Sequence, residues 1–251
     1  MADAEQYGTA NTISSKQPYL ASFSGIDGAG KTTQIDIALV WLRDAGLRVR
    51  LLRFWDDIAV AGQLRATMSH TLFKSEKGVG SPDKPVQRRD KNVRAWYLTV
   101  ARLLLYFLDA ARLAFVVATT SRTDADVIVF DRYLYDELAN LDLGNLAALA
   151  YARLLLKMIP HPHSAFLLDA DPAQARARKP EYPLEFLNGN RARYKALGRL
   201  AGGMTVIGPL AVKDVSLIVL EELSTALLRV GLRTPPPAVP CLPLNTAESH
   251  Q

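Results

Sequence analysis

Gly25-Ile26-Asp27-Gly28-Ala29-Gly30-Lys31-Thr32 reads G-x-x-x-x-G-K-[ST], and this octapeptide restricts the fold of the chain more than any other feature. The glycines let backbone N–H groups close around phosphates, Lys31 can reach the outer phosphates, and the Thr32 hydroxyl can take a Mg²⁺ position. Such a loop needs a strand before it and a helix after it. Leu20 to Ser24 is an apolar run suited to a buried strand, and Thr33 to Asp44 carries Ile35, Ile37, Ala38, Leu39, Trp41 and Leu42 at helical spacing. The helix N-terminus then adds partial positive charge to that of the lysine, which points to a nucleoside triphosphate site.

Four further strands are expected at Arg48 to Phe54, Val127 to Phe130, Ser164 to Leu168 and Met204 to Ile207, separated mostly by helical patterns. Runs rich in Val, Ile, Leu and Phe that alternate with amphipathic segments predict a three-layer α/β P-loop NTPase fold. Its parallel sheet would have about five strands, helices on both faces and phosphate chemistry at the carboxyl ends. At 251 residues and 49% hydrophobic content the chain suffices for one sizeable core. The expected body is 18–232, with a lid at about 173–195. It is flanked by disordered tails at 1–17 and 233–251, the second beginning at Arg233-Thr234-Pro235-Pro236-Pro237.

The one cysteine, Cys241, lies in the Pro-rich tail, so a disulfide framework and a zinc site are excluded. No apolar segment follows a basic start, and a cytoplasmic setting is expected. The net charge of +5 suits any polyanion, and its one local concentration is Lys84, Arg88, Arg89, Lys91 and Arg94. A long apolar helix is predicted from about Asn92 to Thr119, with Arg102, Asp109 and Arg112 inside it making a membrane span costly. At about 100° per residue, Lys91, Arg94, Arg102, Asp109 and Arg112 share one narrow stripe, which is expected to face water, a partner or a cleft. Within it Asp109 would pair with Arg102 or Arg112, or accept a hydrogen bond from an acceptor molecule. His161 and His163 read as solvated loop residues, and Trp96, Tyr97, Tyr106 and Phe107 as core.

Asp131-Arg132-Tyr133 follows the third strand directly. A carboxylate there can hold Mg²⁺, and the neighbouring guanidinium can grip a second phosphate by a bidentate fork. Leu168-Asp169-Ala170-Asp171-Pro172 is a strand running into a turn, and Arg176, Arg178, Lys179, Arg191 and Arg193 come after it. Cations that close over a migrating phosphoryl group would come from such a segment.

In order and spacing these motifs resemble the thymidylate kinase family over roughly residues 18 to 231. Asp27 inside the loop and Thr33-Gln34 after it are marks of that family. The resemblance implies that Gly25, Gly28, Ala29, Gly30, Lys31, Thr32 and Thr33 bind ATP, and that Thr32 and Asp131 hold Mg²⁺. It places Asp27 against the acceptor's sugar. Arg65, in Gly62-Gln63-Leu64-Arg65, would clamp the acceptor phosphate together with Arg132. Arg112 would address the acceptor base with Asp109 on the same face, and Arg178, with Arg176 or Lys179, would serve as lid arginine. Lys31, Arg132, Arg178 and Asp27 would carry catalysis.

This chain departs from the family's pattern at three places. Arg53-Phe54-Trp55-Asp56-Asp57 replaces Arg-Glu-Pro-Gly, Leu108 takes the place of the base-stacking phenylalanine, and Leu134-Tyr135-Asp136-Glu137-Leu138 replaces a stretch bearing Ser and Gln. The expected activity is therefore ATP- and Mg²⁺-dependent phosphoryl transfer to a nucleoside monophosphate, dTMP foremost. The alternatives are another phosphorylated or hydroxyl-bearing acceptor, or an ATP-binding regulatory protein that transfers nothing. A small-molecule acceptor is expected as partner, with no stable nucleic-acid complex, no membrane span and a homodimer left open.

Overall fold

The computed structural model describes residues 17–60, 96–120 and 124–239, with the side chains of 96–98 left aside. Five strands, β1 (Tyr19–Ser24), β2 (Val49–Arg53), β3 (Val127–Asp131), β4 (Ser164–Leu168) and β5 (Met204–Ile207), form one sheet in the order β2-β3-β1-β4-β5. The four strand pairings are all parallel. All five strands lie where the hydrophobic runs put them, within a residue at each end. β1 is central because buried parallel strands need apolar side chains on both faces, and all six of its residues are buried.

The period of two sorts those side chains between two cores. Tyr19, Ala21 and Phe23 of β1 join Val127 and Val129 of β3 beneath α1 (Lys31–Asp44) and the C-terminal helix Val212–Arg229. Leu20, Ile128, Phe130, Ala165 and Leu167 face the other way. There they meet α2 (Trp96–Thr120), α3 (Leu134–Leu138), α4 (Leu146–Met158) and α6 (Leu184–Ala201). A short helix, α5 (Pro172–Arg178), lies between β4 and α6, and the C-terminal helix is α7. The fold is the three-layer P-loop architecture. β1 is flanked by β3 on one side and β4 on the other, so the loop that follows it opens at a switch point of the sheet, where ligands bind.

Among the described residues no helix is long and apolar enough to cross a membrane, and the polar stripe of α2 does not lie wholly in water. Asp109 is fully buried, and its Oδ1 accepts a hydrogen bond from the Val60 N–H at 2.7 Å. Arg112, exposed on the flank, donates from Nη2 to the Asp57 carbonyl at 3.2 Å. Arg112 thus bonds the π-helical turn Phe54–Ile58 that follows β2, and Asp109 the backbone two residues beyond it. This turn buries Phe54 and Ile58, one turn apart, and Asp57 accepts from the Arg53 N–H at 2.7 Å. Backbone groups of such a turn need partners when covered, and α2 supplies them.

The segment expected as a lid, 173–195, comprises α5, a turn and the first part of α6, where Leu187 and Tyr194 are buried in the core. Residues 233–239, expected in a tail, carry no helix or strand. Thr234 shares a hydrogen bond with Ser224 at 3.0 Å, and Val239 packs on the core beneath α7. His163 accepts from the Leu20 N–H at 2.9 Å and stacks on Tyr19, which gives an exposed ring a structural task. Arg65, the basic run Lys84 to Arg94, and Cys241 lie outside the described residues.

Candidate active site

Gly25 and Gly28 show why the loop needs glycine. Their φ angles are +146° and +80°, and a Cβ on Gly28 would stand 2.3 Å from the Ala175 carbonyl oxygen of α5. The equivalent atom on Gly25 would stand 2.6 Å from the Leu168 carbonyl oxygen. The loop is therefore pressed against the end of β4 and against α5, and a side chain at either glycine would force them apart. α5 is itself well founded, with Pro172 in its first turn and the Asp171 side chain accepting from the Gln174 N–H at 3.0 Å. From its last turn Arg178 Nη1 donates to the Gly28 carbonyl at 3.0 Å, so this arginine sits at the phosphate loop. Gly30 in the left-handed region leads into α1, whose first residue is Lys31.

Lys31 is 7% exposed, and its Nζ donates to the carbonyls of Gly25 at 2.7 Å and Ile26 at 2.9 Å. No carboxylate among the described residues lies at ion-pair distance from it. Burial, and then the Arg132 charge, lower its pKa from 10.5 to about 8. A buried cation held only by carbonyls fits an incoming polyphosphate, which would restore the lost charge balance. Where binding raises this pKa, a proton is taken up. Triphosphate affinity should thus fall as pH rises through about 8, by up to tenfold per pH unit. Titration calorimetry at pH 7 and 9 checks this, and a flat profile would remove Lys31 from the site. With no ligand the sign reverses. The folded pKa lies below 10.5, so the free protein gains stability as pH climbs from about 8 towards 10.5.

On the other side of the loop, Arg132 is the one non-glycine residue at positive φ among those described, at 68°. Its N–H still bonds to the Phe23 carbonyl at 3.1 Å, so the backbone stays in the sheet while the side chain turns over the loop. There Nη2 pairs with Asp27 Oδ1 and Nη1 with Asp136 Oδ1 at 3.3 Å. Burial disfavours the guanidinium charge, but Asp27 and Asp136 outweigh it and hold the pKa above the ordinary arginine value. Asp131, half-buried, ends β3 opposite Phe23 of β1 and Arg53 of β2. Its charge acts on both Lys31 and Asp36. Among the described residues no three His, Cys, Asp or Glu side chains gather as a metal site. Thr32 and Asp131 at the mouth of the loop fit Mg²⁺ shared with phosphate oxygens and water, which needs few protein ligands.

The structure brings together the loop residues, Asp27, Asp131, Arg132 and Arg178. Asp109 and Arg112 bond to the backbone after β2, at Val60 and Asp57. Arg191, one of the basic residues after β4, is held by Asp169 at 2.9 Å, together with Lys195 at 2.9 Å. These partners overcome the burial that would raise the Asp169 pKa and leave it lowered. Lys179 pairs with Glu181 at 3.1 Å. The sequence reading assigned no role to Ser24, Asp136 or Tyr194, which surround Arg132. Beside Ala29, a shallow cleft is lined by Gln174 and Arg178 of α5 and by Gly208, Pro209 and Leu210 after β5.

No protein-family model matches the chain. It is 28% identical over 185 residues to a thymidylate kinase of Chlorobium luteolum, covering 71% of this chain and 76% of that one. It is 28% identical over 189 residues to a probable thymidylate kinase of Methanothermobacter thermautotrophicus, covering 73% and 83%. A crystal structure of thymidylate kinase from Ehrlichia chaffeensis superposes with a TM-score of 0.53 at 17% identity, covering 82% of this chain and 98% of that one. In sequence the chain is similar to thymidylate kinases over most of its length, and its fold is the P-loop fold they share.

Proposed function

We propose that the protein transfers the γ-phosphoryl group of ATP to a nucleoside monophosphate, with dTMP as the leading acceptor. The observation that carries the reading is the salt bridge from Asp27, inside the phosphate loop, to Arg132 at the end of β3. It sets a donor-phosphate cation, Lys31, and a second phosphate-gripping group side by side. A protein that only bound ATP would not need the second. An oxygen of the acceptor phosphate attacks the γ-phosphorus as the bond to the β–γ bridging oxygen breaks, and ADP leaves. Lys31 and Arg178 stabilise charge on the migrating group, and Arg132 holds the acceptor phosphate in line with Asp27 towards the sugar. Mg²⁺, held by Thr32 and Asp131, would neutralise phosphate charge. The cleft beside Ala29 suits the base of the nucleotide donor. Arg65 would complete the acceptor clamp.

One observation favours a different acceptor of the same class: the turn Phe54–Ile58 and Asp136 replace segments that the resemblance assigns to the acceptor side. Labelled ATP and Mg²⁺, incubated with a panel of nucleoside mono- and diphosphates and sugar phosphates, decides between them. Transfer to dTMP in preference to the others is expected. Nucleotide binding with transfer to no member of the panel would contradict the proposal. A cytoplasmic setting, where ATP is abundant, fits this chemistry.

A homodimer is also proposed. Val100, Leu104, Phe107, Leu108 and Phe115 form an exposed apolar row along α2. Antiparallel pairing of two such helices would set Val100 against Phe115 and Leu104 against the small Ala111. Sedimentation should give a dimer for the wild type and a monomer for Phe115→Glu; a wild-type monomer would refute it.

A further inference from the structure

Asp136 is buried, with its side chain 1% exposed, and it accepts from groups on three separate parts of the fold. Oδ2 takes the Ser24 hydroxyl at 2.7 Å and the Tyr133 N–H at 3.2 Å. Oδ1 takes Arg132 Nη1 at 3.3 Å and the Tyr194 hydroxyl at 2.8 Å. Ser24 is the last residue of β1 and directly precedes the phosphate loop, Arg132 follows β3, and Tyr194 stands on α6. A carboxylate offers about four lone-pair sites on two oxygens, and here four donors occupy them. Serine has one oxygen with two acceptor sites, so it could not serve all four.

We propose that Asp136 is a positioning residue, which fixes the Arg132 guanidinium relative to the phosphate loop by holding Arg132 and Ser24 on one carboxylate. The argument rests on the phosphoryl-transfer reading above and goes beyond it to name what sets the spacing between donor and acceptor phosphates. Arg132 has two carboxylate partners with different duties. Asp27 belongs to the loop and faces the acceptor, so an incoming phosphate competes with it for Nη2. Asp136, which lies behind, keeps Nη1 and serves as the pivot. The left-handed backbone at Arg132 is what aims the side chain at this pair, and an arginine freed from Asp136 would swing about that bend. Tyr194 shares Oδ1 through its hydroxyl. It anchors α6 to the same carboxylate.

The test compares Asp136→Asn, which keeps the shape and removes an acceptor, with Tyr194→Phe, which removes only the anchor. In the wild-type protein without ligands, ¹⁵N-labelled arginine should show slowly exchanging Nη protons on Arg132, identified by their absence in Arg132→Lys. Those of Nη1 should vanish in Asp136→Asn and persist in Tyr194→Phe, while those of Nη2, paired with Asp27, remain in both. With the acceptor found in the panel, Asp136→Asn should lower kcat/KM for that acceptor about 10- to 100-fold, because a misplaced group of about 1 Å costs that much. KM for ATP should stay within about twofold, and Tyr194→Phe should leave both within about threefold. Persistence of the Arg132 Nη1 signals in Asp136→Asn overturns the proposal whatever the activity. So does an equal loss in Tyr194→Phe, which would make the carboxylate an anchor for α6. A wild-type enzyme that phosphorylates nothing would refute the transfer reading instead, and the arginine signals would still decide whether Asp136 positions Arg132.

Discussion

Lys31→Ala should abolish measurable phosphoryl transfer while leaving the fold as stable as before or slightly more so. The lysine is the buried cation of the loop, tied only to the carbonyls of Gly25 and Ile26. Its charge is penalised in the free protein, as the lowered pKa of about 8 records, so removal lifts a cost rather than adding one. In the complex the same charge stands among phosphate oxygens in a water-poor site, where one such group contributes about 10²- to 10³-fold in kcat. Loss of ground-state phosphate binding adds to that. Steady-state kinetics with thermal unfolding separates the effects. A variant that is inactive and also several degrees less stable would show that Lys31 holds the loop together, and near-normal turnover would exclude it from the reaction.

Arg132→Ala should cost both activity and stability. It strips a partner from two carboxylates, Asp27 and Asp136, and breaking a buried ion pair on one side costs about 3–5 kcal/mol. The low end applies, because Asp136 keeps Ser24, Tyr133 and Tyr194 as donors. Loss of a bidentate phosphate clamp should lower kcat/KM for the acceptor by about 10³-fold, with ATP affinity much less changed. Arg132→Lys isolates the two contributions. It keeps a positive charge between the carboxylates and so most of the stability, but presents a single point to the phosphate and should still lose most of the transfer rate. Chemical denaturation and acceptor kinetics on both variants give the comparison. A lysine variant with wild-type kcat/KM would mean that Arg132 is structural only.

The central architecture was legible because its signals are local. Val127 to Phe130 and Ser164 to Leu168 are continuous apolar runs that have no other use than a buried strand, and the phosphate loop between Ser24 and Thr33 demands a strand and a helix at its ends. What the backbone alone places was legible too: Asp131 ends β3 and Arg132 follows it, so their place at the sheet's carboxyl edge came with the strand. Side chains that gather on Asp136 come from distant parts of the chain. Tyr194 lies 58 residues from Asp136 and Ser24 lies 112 from it, and no periodicity connects them. Asp136 stood out only as a departure from the pattern of similar proteins, with no sign of what it would touch.

The burial of Asp109 was not legible, because a charge on an apolar helix is usually on its wet side. Here the Val60 N–H, two residues beyond the π-helical turn, finds its acceptor in Asp109, and hydropathy carries no record of a backbone group. Arg191 has a partner that was not legible either. It sits among basic residues as a lid arginine would, but Asp169, 22 residues earlier at the end of β4, already claims it together with Lys195.

The account depends on a triphosphate held by Lys31 and an acceptor phosphate held by Arg132 lying in one continuous line. The most direct measurement is binding of a single molecule that spans both, with adenosine and thymidine joined through their 5′ oxygens by five phosphates. It should bind one per chain, far more tightly than ATP or dTMP alone, because the second half docks without the cost of a separate association. Lys31→Ala and Arg132→Lys should each remove most of that advantage. Affinity no better than that of ATP, or an advantage that survives Arg132→Lys unchanged, would contradict the claim that the two groups serve one transfer site.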